Sequence, residues 1–149
     1  MQPLQFLVPI DALEGVAPIL PFVILVFAVA NMVTRVLQHS RHESQAAEGD
    51  DDEALSRWVP HTVTTLGLVL SSLLFLIVEP HGGMVMSVLA LAVFVSDFFE
   101  YESRRVEARS KSKDLDRPVA AIGASVFALL YASYQSLFFL IEPLWNAVV

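Results

Sequence analysis

The stretch Ser71-Ser-Leu-Leu-Phe-Leu-Ile-Val-Glu-Pro80 returns late in the chain as Ser136-Leu-Phe-Phe-Leu-Ile-Glu-Pro143. Each copy closes a long uncharged run, and about 20 such residues in a helix cover ~30 Å, the thickness of a bilayer's hydrocarbon core. Each therefore reads as the last turns of a membrane-crossing helix. Glu-Pro reads as its stop, because proline lacks the N–H that the next turn needs.

Outward from these two exits the chain divides into four spans, at about 16–37, 58–78, 84–100 and 119–141. The expected fold is all-α: a polytopic membrane protein with four transmembrane helices in a single domain over 1–149. Pro18 and Pro21 fall in the first turns of the first span, where a missing N–H costs least. Beyond Arg35 no Gly or Pro occurs until Gly49, so that helix continues out of the bilayer as a polar rod. An acidic loop follows over 43–56, and its run Glu48-Gly-Asp-Asp-Asp-Glu53 sits favourably before the positive end of the next helix. Trp58 supplies an interfacial anchor.

Residues 79–83 are too few for anything but a turn between antiparallel neighbours. The third span is uncharged only over 84–96, yet 97–112 contains no breaker and offers Glu100 to Arg104 and Glu107 to Lys111 as i,i+4 pairs. One continuous helix is expected, half in lipid and half in water, with a charged extension over 100–117. Arg117-Pro118 opens the fourth span. Residues 1–15 carry Asp11 and Glu14 and no Lys or Arg, so the basic region of a secretory signal is missing and this tail is expected to be kept, with 1–9 lying at the interface.

Charge sets the orientation. Arg35, Arg41 and Arg57 flank the first long loop, and the other six basic residues flank the second. By the positive-inside rule both loops are cytoplasmic, and the Glu-Pro exits with both termini lie outside. A two-span alternative, with spans one or three re-entrant, would put positive charge on both sides. The duplicated exit suggests two tandem helical hairpins. Val26-Phe-Ala-Val-Ala-Asn31 resembles Val93-Phe-Val-Ser-Asp97, which sets Asn31 against Asp97, and Pro60 and Pro118 both open the even spans. Apolar segments draw on few residue types, so chance is the competing explanation.

Composition narrows the function classes. A hydrophobic content of 55% with a mean hydropathy of +0.59 is too apolar for an ordinary soluble domain. A net charge of −7 argues against nucleic acid or anionic lipid as a major partner. The absence of cysteine removes disulfides, thiolate metal sites and cysteine nucleophiles. The acidic loop has the bias of proteins that work in high salt, where clustered carboxylates hold water and cations, although a plain acidic loop would read the same way.

Several residues are candidates for a polar or ionic role. Asp97 and Glu100 share a helix face near the cytoplasmic surface, with Asn31 as the polar counterpart on the first span. Carboxylates at membrane depth are costly, so this group is a candidate cation or proton site, or else Asp97 already stands among headgroups. Tyr131, Tyr134 and Gln135 form a polar cluster in the fourth span, for which Thr62, Thr64, Thr65, Ser71 and Ser72 are expected partners. Glu79 and Glu142 oppose the helix dipole and form a candidate exterior acidic site with His81, unless they are simply solvated. His39, His42 and Glu43 have spacing a metal can use, but few ligands on an exposed rod are weak evidence, and no metal or cofactor is expected.

Small residues at every fourth position, Ala120, Ala124, Ala128 and Ala132, with Gly67 and Ser71 on the second span, let backbones approach within the bundle or at an oligomer seam. No phosphate loop, dinucleotide fingerprint or zinc-protease motif occurs, so no enzyme is expected.

Taken together, Asp11-Ala-Leu-Glu-Gly-Val-Ala-Pro18, Asn31-Met-Val-Thr-Arg35 and the acidic loop resemble small four-helix membrane proteins of halophilic archaea with no assigned function. That resemblance implies a four-span architecture in the plasma membrane and carries over no functional residue. Two functions remain in view. One is a non-enzymatic membrane module, a structural or accessory subunit that packs with itself or a larger complex in the lipid bilayer. The other is an oligomeric channel or carrier for a small cation or proton. A water-accessible cavity joining the polar groups would favour the second.

Overall fold

The computed structural model describes residues 7–48, 55–109 and 115–149. The interfacial reading of 1–6, the acidic turn 50–53, and Lys111, Lys113 and Asp114 lie outside the described residues. The described chain is helical throughout its regular structure: α1 (Ile10–Val16), α2 (Leu20–Glu48), α3 (Val59–Val78), α4 (Pro80–Arg109) and α5 (Val119–Val148). The last four are long and apolar enough to cross a membrane. They form a square in which α2 and α4 each touch both α3 and α5, so α2 and α4 share a diagonal and their side chains meet at the centre. The short α1 sits against α3 and adds Leu13 to the core.

The helix boundaries have local causes. The turn after α1 falls at Ala17-Pro18-Ile19, and α2 then takes Pro21 in its first turn, where its missing N–H has no helical partner to lose. α2 runs unbroken to Glu48 and α4 to Arg109, each as one helix that is apolar at one end and charged at the other. The expected loop over 79–83 is a correction: Glu79 alone links the two helices, and Pro80 is already the first residue of α4. This hairpin closes because Gly83 has no side chain. A Cβ on Gly83 would fall on the Leu76 backbone, so the two helices touch main chain to main chain.

A second correction concerns the other exit. Pro143 lies inside α5, which continues to Val148 with every residue from 141 onward exposed. Proline removes one donor, but that alone does not turn a chain. Glu79-Pro80 ends a helix because α4 packs back on α3, and no described element packs back beyond Pro143.

The two hairpins, α2–α3 and α4–α5, share much of their buried pattern. The buried stripe of α2, which includes Ile24, Ala28, Arg35, His42 and Ala46, maps onto Met86, Ala90, Asp97, Arg104 and Ala108 of α4 at a shift of 62 residues. On α3 and α5 the shift is 60, pairing His61 with Ala121, Thr65 with Ser125, Leu68 with Ala128 and Ser72 with Ala132. The entries agree as well, as Leu55-Ser-Arg-Trp-Val59 and Leu115-Asp-Arg-Pro-Val119. Ala46, Leu55, Ala108 and Leu115, one from each helix or entry, close a small apolar cluster beneath the main core. The register differs by about one helical turn from the one the apolar strings suggest, because Arg35, not Asn31, is the counterpart of Asp97.

The small-residue ladder is also shifted. Ala128, Ala132 and Ser136 are buried as expected, but the stripe continues through Ser125 and Ala121, leaving Ala124 half-buried and Ala120 exposed. The cause is the helical repeat: 3.6 residues per turn carries a strict four-residue ladder off one face. Gly67 makes room for the Phe27 ring, and buried Ser71 returns its hydroxyl to the Gly67 carbonyl at 2.6 Å. Ala128→Leu is expected to cost ~1–3 kcal/mol in detergent unfolding, because it overpacks a site with no free volume. Leu129→Met, a volume-conserving change at a half-buried neighbour, is expected to cost less than about 1.5 kcal/mol. A neutral Ala128→Leu would place that face outside the bundle.

Candidate functional site

Along α2 the buried stripe changes character partway. Leu20, Ile24 and Ala28 are apolar, whereas Asn31, Arg35, Gln38 and His42 are polar and still buried. Polar side chains that leave water must bond one another, so this half of the bundle is a hydrogen-bonded core.

Asp97 is its hub. Its Oδ1 accepts from Arg35 Nε at 3.1 Å, and its Oδ2 accepts from Arg35 Nη2 at 2.9 Å, His61 Nε2 at 3.0 Å and Thr65 Oγ1 at 3.3 Å. The Arg35 contact is bidentate, the geometry in which a planar guanidinium and a carboxylate fit best. Arg35 also donates from Nη1 to the Ser125 hydroxyl and from Nη2 to Asn31 Oδ1 at 2.7 Å. Asn31 in turn donates to Thr64 and Thr65 at 3.2 and 2.8 Å. A carboxylate only accepts, so His61 carries a proton on Nε2, and its Nδ1 faces the Thr34 hydroxyl at 2.8 Å. All four long helices are tied together here.

A second buried group lies further along the polar extensions. His42 is fully buried, stacks near the Tyr101 ring at 5.5 Å, and donates from Nε2 to the Ser56 carbonyl at 3.0 Å. Its Nδ1 accepts from Arg104 Nε at 3.1 Å, so the ring is held neutral. His42 lies beyond the apolar part of α2, and burial with no counter-ion pushes its pKa down to about 4, with the Arg104 cation adding in the same sense. The expected exposure of the rod is corrected on one side: the His42 face is interior, while His39 pairs with Glu43 at 3.3 Å.

An acid prediction follows for His42. An unfolded histidine binds its proton near its ordinary value of 6.5, whereas the folded one waits until about pH 4. Between these the unfolded state holds more protons, so stability falls as pH drops through that window. The slope of stability against pH between them should flatten in His42→Asn, measured by unfolding in detergent.

Glu100 does not join Asp97. Its Oε1 accepts from the N–H groups of Ala120 and Ala121 at 2.8 and 3.2 Å, placing a carboxylate at the positive end of α5. Gln38 has the equivalent role in the other hairpin, its Oε1 accepting from Trp58 N at 3.4 Å. One turn or more further out, Gln45 accepts from Ser56 N and Glu107 from Asp116 N, again at matched positions. The cation-site reading of Asn31, Asp97 and Glu100 is therefore divided: the first two share one network, and the third caps a helix.

The other polar cluster stands apart. Gln135 donates to Tyr131 Oη at 3.0 Å and rests against Gly82, while Tyr134 is exposed with its ring 5.9 Å from that of Tyr131. The expected partners on α3 are engaged elsewhere: Thr64 and Thr65 with Asn31, Thr62 with the Trp58 carbonyl, and Ser71 and Ser72 with carbonyls of their own helix. Between the two polar regions lie Ile24, Ala28, Leu68, Met86, Ala90 and Ala128, each no more than 3% exposed. Glu79, His81 and Glu142 are exposed at the Glu-Pro end, and among the described residues no hydrogen bond or ion pair joins them.

His61 is the residue a linear reading passes over, and Arg35, His42 and Arg104 are read as exposed where they are buried. The signal is the spacing 24, 28, 31, 35, 38, 42, an unbroken helical stripe on which a charge cannot face lipid. Among the described residues no group of three or more potential metal ligands converges. A family model described as a domain of unknown function, DUF7313, matches residues 2–149. No curated protein and no solved structure matches the chain.

Proposed function

The chain belongs to that family of domains, and we propose from its own residues that it is a non-enzymatic integral membrane module of the plasma membrane. In this reading α2 to α5 span the bilayer, the basic connections are cytoplasmic, and the Glu-Pro ends and both termini are outside. Its cytoplasmic ends, the polar continuations of α2 and α4, offer a docking surface to a larger membrane complex or a second copy. The acidic balance suits a cell that holds high salt.

One observation carries the reading. Both oxygens of Asp97 are bonded by Arg35, His61 and Thr65, and beyond Asn31 the centre is filled by Ile24, Ala28, Met86 and Ala90, so the buried charges act as fasteners between helices. A transport site needs a carboxylate that can exchange partners and a wet route on both sides.

A cation or proton carrier is the second reading, favoured by a cleft of about 350 Å³ that reaches His61 and Asp97 from the side. Reconstitution in sealed vesicles separates the two. No proton or sodium flux above that of empty vesicles is expected under an imposed gradient, and a flux abolished by Asp97→Asn would overturn the module reading. Topology is tested separately with an impermeant thiol reagent on intact cells. Cysteine at exposed His81 should label, whereas cysteines at Ser44 and Ser103 should label only after lysis.

A further inference from the structure

The correspondence of the two hairpins creates two clefts at equivalent places. One, of about 350 Å³, lies between α3 and α4 and includes Arg57, Thr62, Asp97, Phe98 and Tyr101 in its walls. The other, of about 270 Å³, is walled by their counterparts Arg117, Ile122, Arg35, Val36 and His39. Shared architecture explains that both exist. It does not explain why the first has Phe98 and the Thr62 hydroxyl where the second has the aliphatic Val36 and Ile122.

We propose that the α3–α4 cleft binds the anionic phosphate headgroup of a membrane lipid through Arg57, and that the matching cleft at Arg117 does not. Arg57 is half-exposed and makes no hydrogen bond among the described residues. Its ion pair with Glu102 is long, at 3.7 Å, and Glu102 lies closer to Arg105, at 3.2 Å. The guanidinium is nonetheless fixed in orientation, stacked 4.2 Å from the Tyr101 ring centre and 5.6 Å from that of Phe98. A guanidinium set over two rings, whose ion pair with Glu102 is long and shared with Arg105, has N–H groups that a phosphate can take over. Gln38 engages its carbonyl with Trp58, which leaves the amide N–H₂ as a second donor at the cleft.

The depth suits a lipid. Arg57 stands two residues before the start of α3, at the headgroup end of a candidate span. Leu66, Phe94 and Phe98, which line the same cleft, are 41–45% exposed and give acyl chains an apolar wall. Asp97 is in the cleft too, but it is paired with Arg35, and Glu102 beside Arg57 is shared with Arg105, so each carboxylate near the headgroup position has an arginine partner. With a net charge of −7 the protein does not attract anionic lipid diffusely, so a bound anionic lipid needs a local basic site.

The site rests on the membrane placement above, which the labelling experiment tests independently. Native mass spectrometry of the full chain in non-ionic detergent, titrated with phosphatidylglycerol, tests the site itself. A one-to-one adduct is expected, weaker with phosphatidylcholine and not displaced by millimolar inorganic phosphate. Arg57→Gln should lower its affinity about fivefold, the worth of one basic group at a lipid surface. Arg117→Gln should leave it unchanged, and Leu66→Trp, which fills the apolar wall without touching Arg57, should weaken it. Equal losses in Arg57→Gln and Arg117→Gln would mean diffuse electrostatics and overturn the site, as would displacement by inorganic phosphate or no adduct at all.

Discussion

Asp97→Ala is expected to destabilise the folded bundle by ~3–5 kcal/mol, the range for removing one partner of a buried ion pair. The loss arises less from the missing attraction than from what remains. Arg35 is 4% exposed, and without Asp97 its guanidinium keeps only the Ser125 and Asn31 oxygens. His61 and Thr65 lose an acceptor at the same time. Asp97 is 15% exposed at the edge of the cleft, so water can partly replace it, which puts the expected value at the lower end of that range. The double variant Arg35→Met, Asp97→Leu should recover much of the loss, because two apolar side chains of similar size leave no buried charge to desolvate. Denaturant unfolding in mild detergent measures both. A single variant that costs under about 1 kcal/mol would mean the pair is solvated like a surface bridge.

Gly83→Ala is the second large effect expected. A Cβ there falls on Leu76 Cα and N and on the Phe75 carbonyl carbon, all main chain. A side chain can rotate away, but a helix backbone has to move bodily, so the cost belongs at the top of the ~1–3 kcal/mol found for overpacking, or above it. Gly82→Ala is the internal control. Its Cβ meets the Gln135 amide at 3.0 to 3.1 Å, the far end of a flexible side chain, and should cost clearly less. Helix propensity favours Ala over Gly at both positions, so equal losses would mean that contact with the α3 backbone does not set the cost at Gly83.

Much of the architecture is legible in the chain because bilayer-length apolar runs and the absence of breakers are linear signals. The extension of α2 past Arg35 and of α4 past Asp97 can be read that way. Pro143 misleads because a proline reports a lost donor and not whether another element packs against the next turn. Arg35 looks like the end of a span when charge is counted along the sequence, yet it is interior when position around the helix is considered. His61 is overlooked because its worth lies in Asp97, a partner 36 residues away. Glu100 is visible as a carboxylate, but only the three-dimensional turn before α5 gives it the N–H groups of Ala120 and Ala121.

The constant shift of 62 residues across the central diagonal limits how these hairpins can mate. In a symmetric dimer of the first hairpin alone, Arg35 would meet a second Arg35. In a dimer of the second alone, Asp97 would face Asp97 and Arg104 would face Arg104. Like charges that close in a low-dielectric interior repel by several kcal/mol, by order of magnitude. Each hairpin therefore rejects its own twin and accepts the other, and that incompatibility steers the chain to close on itself.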